Sequence, residues 1–356
     1  MSAVLANDLT SGLDPRLDLM EPDYPRDDPN YRESVSMWIF DDENRIQLPR
    51  FLLDDIPSDP GNRSLFLNIA FPDGRAVVHQ GRGARDSMLD AAGQPTIYGG
   101  GGLTFQVQEP WVRWTARYRG TMTDTTAEDL IHARDTGTPV TVELDVEMVS
   151  VVPPWLPGTM GTDAQKLMHE PTIESLFMGR GFRYEQLVHA KGRCQIGDRE
   201  FPISGRGLRV HRRSSRDVQG FWGHAWQSAV FPSGRGFGYT AFPPSPTGGA
   251  SYVEGFYFDG QRMLPAKVRN IPWMASAAPS GQDVGFEMET AAGVIRIGGE
   301  TVATTFRNDF GGAHGSEWPK ELLLQQGCAR YRLDGEQAMG MVERSNFKSR
   351  LDPPIR

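Results

Sequence analysis

The segment Val142-Glu143-Leu144-Asp145-Val146-Glu147-Met148 alternates apolar and acidic side chains without a break. A period of two is what a strand with one wet face requires, because successive side chains leave opposite faces of the pleat. Working outward, Trp114, Ala116 and Tyr118 interleave with Arg113, Thr115, Arg117 and Arg119, while Val284, Phe286 and Met288 interleave with Gly285, Glu287 and Glu289. Near the end, Ala329, Tyr331 and Leu333 run into Asp334-Gly335, a strong hairpin signal, and on to Ala338, Gly340 and Val342. Helical pattern is confined to residues 126–133 and 163–168. The expected fold is all-β and antiparallel, which disfavours a nucleotide-binding α/β architecture.

The 356 residues favour two domains. Forty glycines and 26 prolines cut the chain into short segments, as strands require and long helices do not tolerate. The Pro- and Gly-rich stretch 152–181 is the best candidate linker, so the expected domains are residues 1–180, with an extended N-terminal arm, and 181–356. Two turns share a signature, Phe71-Pro72-Asp73-Gly74-Arg75 and Phe231-Pro232-Ser233-Gly234-Arg235, which hints at duplicated halves. A second echo, GRGAR at 81–85 and GRGLR at 205–209, has a different offset.

A net charge of -8 repels polyphosphate, so no nucleic acid is expected as partner, and no anionic membrane. Cys194 and Cys328 are too few for a disulfide framework and lack metal-binding spacing. With no basic start followed by an apolar run, and no apolar stretch of bilayer length, the expected location is cytoplasmic, without an integral membrane segment. There is no Gly-x-x-x-x-Gly-Lys loop, no Gly-x-Ser-x-Gly elbow and no His-Glu-x-x-His, since His169-Glu170 runs into Pro171. The run from Gly99 to Gly102 has no helix after it to hold phosphate and reads as a mobile loop.

The densest chemistry lies in residues 221–242. Alternation puts Trp222, His224, Trp226, Ser228 and Val230 on one face, against Gly223, Ala225, Gln227 and Ala229. The same rule groups Tyr252, Glu254, Phe256 and Phe258. A carboxyl among aromatics in a barrel lumen loses water and is pushed toward its protonated form, which makes Glu254 a candidate general acid, with His224 as base or partner. Glu254 on a solvent face, or His224 as a hydrogen-bonded core histidine, is the competing reading. Arg206, Arg209, His211, Arg212, Arg213 and Arg216 form a second constellation able to hold a carboxylate or phosphate, though a charge run is more often a solvated face. Glu343 is a third candidate.

From about Tyr184 the chain resembles the carotenoid 1,2-hydratase and AttH-like family, whose members have two lipocalin-like β domains. The family pattern Gly-x-Gly-x-(Arg or Tyr)-Asp-His-x-Trp-Gly-x-Arg is met at Gly205, Gly207, Arg209, His211 and Arg216; Val210, Arg213 and Ser214 replace its Asp, Trp and Gly. Tyr184-Glu185-Gln186 and the segment from Gly340 to Ser345 share the family's look. In the hydratases a His-x-Trp pair is thought to work with a later Tyr-x-Asp that protonates an alkene. Counting from His211 lands near Tyr239 and Ala241; counting from His224-Ala225-Trp226 lands at Tyr252-Val253-Glu254, and both registers stay open.

The resemblance implies two consecutive lipocalin-like antiparallel β-barrels and an acid–base enzyme of hydratase, dehydratase, isomerase or cyclase type acting on a lipophilic alkene. The expected catalytic residues are Glu254, His224, His211 and Tyr252; Trp222, Trp226, Tyr239, Phe256 and Arg209 would bind the ligand. No cofactor and no metal is implied. The implied partners are a hydrophobic small molecule and, at most, a second copy of the chain in a homodimer. A non-catalytic carrier of an apolar ligand is the alternative, since small barrels enclose one without catalytic groups.

Overall fold

The computed structural model describes residues 8–22, 28, 31–56, 58–160, 180–215, 221–244, 251–308 and 321–355. Ten strands form the first sheet: β1 (Tyr31–Asp41), β2 (Gln47–Asp55), β3 (Asn62–Ala70), β4 (Arg75–Ala84), β5 (Ile97–Gly100), β6 (Leu103–Glu109), β7 (Arg113–Thr126), β8 (Thr138–Ser150), β9 (Arg180–Ile196) and β10 (Arg199–Ser215). Their order is β4-β3-β2-β1-β10-β9-β8-β7-β6-β5, all antiparallel, and Arg75–Val78 of β4 pair with Thr123–Thr126 of β7, so the sheet curls back on itself. A closed barrel of eight strands follows: β11 (His224–Val230), β12 (Gly236–Phe242), β13 (Tyr252–Phe258), β14 (Met263–Arg269), β15 (Phe286–Thr290), β16 (Gly293–Arg307), β17 (Leu322–Leu333) and β18 (Glu336–Phe347).

The expected alternation holds where one face meets water. In β8, Val142, Leu144, Val146 and Met148 are buried in the first barrel's core, while Asp145 and Glu147 are exposed. Each large apolar side chain so buried contributes roughly 1.5–3 kcal/mol. Asp334 and Gly335 both adopt positive φ, 47° and 84°, and close the β17–β18 hairpin. The two Phe-Pro turns have the same geometry: the amides of Phe71 and Phe231 donate to the carbonyls of Arg75 and Arg235, with Gly74 and Gly234 at φ 88° and 85°. Residues 126–133 supply one short helix, α1 (Ala127–Ile131), capped by the Thr126 hydroxyl, which accepts from the Asp129 amide. The other helical candidate, 163–168, lies outside the described residues.

Three features differ from the sequence expectation. The sheets divide between Ser215 and His224, not near Arg180, because β9 and β10 fill the gap between β8 and β1, giving each the partner it would otherwise lack. The Gly99–Gly102 run is no loose loop: Gly99 and Gly100 end β5, while Gly101 and Gly102 take φ 57° and 86° in a tight turn into β6. The described part of the candidate linker is packed, with Val152 and Trp155 fully buried and Trp155 bridged to Glu185 of β9 by paired backbone hydrogen bonds.

The two barrels press together over an apolar seam that includes Trp38, Phe40, Trp155, Trp226, Phe256 and Met341. This corrects a further expectation. All seven positions of β11 are buried; Ala225 and Ala229 face the second barrel's core and Trp226 and Val230 face the first barrel. The large aromatic face therefore lies outside the second barrel, whose interior is filled by Phe237, Tyr239, Phe286, Tyr331 and their neighbours.

Candidate active site

Strand β10 carries the resemblance motif, and its alternation decides where the motif points. Phe201 and Ile203 belong to the first barrel's core, so Gly205, Gly207, Arg209, His211 and Arg213, in step with them, face that barrel's interior. Leu208 and Val210 face the seam. The glycines have a steric cause: a Cβ at Gly205 or Gly207 would lie 1.8 Å from the Phe40 carbonyl oxygen or 1.9 Å from that of Trp38. Their absence of side chain lets β10 run close against β1. In the resulting register Val35 opposes His211 and Glu33 opposes Arg213.

Glu33 thereby meets His211, with Oε1 2.7 Å from Nε2, both side chains essentially without solvent exposure. Burial, reinforced by the negative charge of Asp55, pushes the Glu33 carboxyl up to about 8. Burial, with the Arg213 charge behind it, pushes His211 down to about 3. At neutral pH the pair is a protonated acid beside a neutral imidazole, and the buried Nδ1 of His211 has no hydrogen-bond partner. The rings of Trp114 and Tyr184 stand edge-on to the imidazole at 6.0 and 5.8 Å.

Arg209 lies beside this pair. It donates to Asp18 Oδ1 at 2.8 Å, to the Tyr184 hydroxyl and to Gln186 Oε1, and its guanidinium lies 4.7 Å over Trp114 and 4.9 Å over Tyr184. Asp18 is brought in by the N-terminal arm, whose 3₁₀ turn Pro15–Asp18 starts on the Asp14 carboxylate; it also accepts the Trp111 amide at 2.6 Å and Trp114 Nε1 at 2.9 Å. A buried ion pair needs such additional hydrogen bonds to offset desolvation of both charges. The arm's Leu17 carbonyl accepts from Arg213 at 2.8 Å, closing the same end of the barrel.

The other sequence candidates fall elsewhere. His224 does not pair with Glu254: its Nε2 lies 3.1 Å from Glu343 Oε1 and its Nδ1 2.6 Å from Ser345 Oγ, across the β11–β18 ladder. Glu343, the third sequence candidate, also accepts from Arg50 at 3.3 Å and from Gln326. Burial alone would raise its carboxyl, but the Arg50 charge and the His224 and Gln326 hydrogen bonds outweigh that and hold it at about 2. Glu254 accepts the Tyr252 hydroxyl and the backbone amides of Gly158 and Met160, at 2.6 and 2.8 Å, and so ties the connection that follows β8 in the first barrel to β13 of the second.

Trp226 donates to Glu185 at 2.9 Å and Phe256 packs on Trp155, both at the seam, while Trp222 donates to the Pro243 carbonyl. Tyr239 sits inside the second barrel against Phe286. The arginine cluster splits by strand face, Arg206 pairing with Asp42 outside while Arg209 and Arg213 point inward; Arg216 lies outside the described residues. Sequence reasoning missed Glu33 and Asp18. Glu33 had a legible signal, since Glu33, Val35, Met37 and Ile39 share one face of β1 and put an acid in line with core residues. Among the described residues no three His, Cys, Asp or Glu side chains gather to hold a metal ion, and no helix is long and apolar enough to cross a membrane.

No curated protein matches the chain. Among solved structures it is similar to an AttH of Nitrosomonas europaea, at 13% identity and TM-score 0.55 over 95% of this chain and 99% of that one. It is also similar to CghA, at 10% identity and TM-score 0.52 over 90% and 89%. Kievitone hydratase of Nectria haematococca aligns at 9% identity and TM-score 0.45 over 95% and 97%. The first two likenesses establish the shared fold of two lipocalin-like barrels. A family model matches residues 20–348, nearly the whole span of both barrels, and the chain belongs to that family, described as Domain of unknown function (DUF7064).

Proposed function

We propose that the protein is a cofactor-independent acid–base enzyme of hydratase, dehydratase, isomerase or cyclase type that protonates a lipophilic alkene, with Glu33 as acid and His211 as base. The observation that carries this reading is the buried Glu33–His211 contact, in which a carboxyl keeps its proton at neutral pH beside a neutral imidazole with one nitrogen free to accept. Glu33 would deliver its proton to an alkene carbon. The cation left on the neighbouring carbon would be stabilised by the electron-rich rings of Trp114 and Tyr184, which stand 6.0 and 5.8 Å from the His211 imidazole, on the faces that Arg209 leaves uncovered.

His211 Nδ1, without a partner, would then take a proton from water for hydration, or from an adjacent C–H for isomerisation; dehydration would be the hydration sequence run in reverse, with water as the leaving group. With the ring's own proton on Nε2, that proton would cross the 2.7 Å contact to Glu33, so the carboxyl is reloaded without a cofactor. The imidazole is left neutral in its other tautomer, which proton exchange with water resets before the next turnover. Arg209 and Asp18 position the pair. Glu254 and Tyr252, in this reading, hold the connection after β8 against the second barrel, and His224 serves the seam with Glu343.

Incubation in D2O with isoprenoid, steroid-like and prenylated aromatic alkenes tests the proposal, with deuterium incorporation read by mass spectrometry. Incorporation should fall by roughly 10²–10⁴-fold in Glu33→Gln, the range typical of a lost general acid. A bound alkene that never gains deuterium would instead mark a carrier, and equal incorporation by Glu33→Gln would remove Glu33 from the chemistry.

A further inference from the structure

On the opposite side of the first barrel's wall from Glu33, a crevice of about 180 Å³ opens where β3, β4 and α1 meet β16. It is lined by Val78, Leu130 and Phe306 on its apolar walls and by Asn68, His79 and Arg307 on its polar ones. Asn68 alternates with Leu67 and Ile69, which face the first barrel's core, so the crevice belongs to the seam between the barrels.

Arg307 is the unusual member. It is only 7% exposed, and among the described residues every acceptor it reaches is neutral: Gln80 Oε1 at 2.9 Å, Asn68 Oδ1 at 3.2 Å and the His79 carbonyl at 3.4 Å. Its Nε has no partner, and among the described residues no carboxylate lies within ion-pair distance of it. The guanidinium stacks 4.4 Å over the Phe66 ring. Burial, and after it the repulsion of Arg50, pushes Arg307 down to about 9, with the more distant Glu343 charge offsetting only part of the shift.

A buried guanidinium touched only by neutral acceptors is stabilised by an anion that meets it directly, and its fork matches a carboxylate. We propose that this crevice is a binding site for a small organic carboxylate carried on an apolar or aromatic frame, with Arg307 receiving the carboxylate and Val78, Leu130 and Phe306 the frame. The volume fits: a cavity of roughly 150 Å³ takes a benzene ring. Asn308, whose Oδ1 is buried without a partner, also lines the crevice. The rim carries a second cation, Arg134, already paired with Asp129.

Calorimetric titration of the full chain with benzoate, and with benzamide as its uncharged isostere, tests the site. Benzoate should bind at least about tenfold more tightly than benzamide, the discrimination expected of one charge-assisted hydrogen bond, and Arg307→Met should abolish that difference. Val78→Phe, which fills the crevice and leaves Arg307 in place, should also abolish benzoate binding, and it keeps the test decisive if Arg307→Met fails to fold. Equal affinity for the two probes, no binding of benzoate, or benzoate binding unchanged in either folded variant would overturn the proposal.

Discussion

Glu33 and His211 stand on neighbouring strands, 178 residues apart in the chain, with Oε1 and Nε2 2.7 Å apart. Their contact exists only because β10 inserts beside β1, and β10 can approach so closely because Gly205 and Gly207 present no Cβ to the β1 carbonyls. Strand pairing, glycine placement and the acid–base pair are thus one structural fact.

The pair should leave a signature in stability against pH. Glu33 binds its proton more tightly when folded, at about 8 against 4.5, so its contribution is full below pH 4.5 and is lost as pH rises through 8. His211, at about 3 against 6.5, contributes fully above pH 6.5 and loses that contribution as pH falls through 3. The slopes cancel between pH 4.5 and 6.5. Urea unfolding should therefore show a loss on the order of 2 kcal/mol from pH 6.5 to 8, absent in Glu33→Gln.

Glu343 predicts the opposite acid behaviour at the seam. Held at about 2 against 4.5, it contributes fully above pH 4.5 and loses that contribution as pH falls through 2. Glu343→Gln strands the Arg50 charge and should cost about 3–5 kcal/mol at pH 7, with the cost shrinking in urea unfolding at pH 3.

Asp18 and Arg209 form a buried pair between the N-terminal arm and β10. Asp18→Asn and Arg209→Met should each destabilise by about 3–5 kcal/mol, because each leaves the other partner buried and unmatched. The double variant should cost less than the sum of the two, with a coupling on the order of 1–3 kcal/mol in a double-mutant cycle. Strict additivity would show that the arm does not seal the barrel through this contact.

Gly207→Ala should lower stability by about 1–3 kcal/mol through overpacking against the Trp38 carbonyl. Gly61→Ala, at a position where a Cβ meets nothing within 4 Å, is the control and should be near neutral in the same thermal melt.

The strands with one wet face were legible in the sequence, because solvent on one side writes a period of two into Val142 through Met148 and into Trp114 through Tyr118. The Asp334-Gly335 hairpin was legible for a local reason too, its turn needing two positive φ angles. Two things were not. Nothing local tells β9 and β10 to pair with β8 and β1, since those contacts span long stretches of chain. Nor does alternation say which face of β11 looks inward when both are buried, and the aromatic face with Trp226 went to the seam.

The same limit governed the site. The motif in β10 pointed to Arg209 and His211, but their partners Asp18 and Glu33 come from the N-terminal arm and β1, brought near only by the closed sheet. His224 was recognisable as a polar residue on an apolar face, and its carboxylate proved to be Glu343 across the ladder from the neighbouring strand.

The account turns on a carboxyl that keeps its proton at neutral pH. Carbon-13 NMR titration of protein labelled at glutamate Cδ, with the Glu33 resonance identified by its loss in Glu33→Gln, measures this directly. The predicted midpoint for Glu33 is about 8. A midpoint near the ordinary 4.5 would contradict the account, because Glu33 would then be an ionised carboxylate with no proton to give.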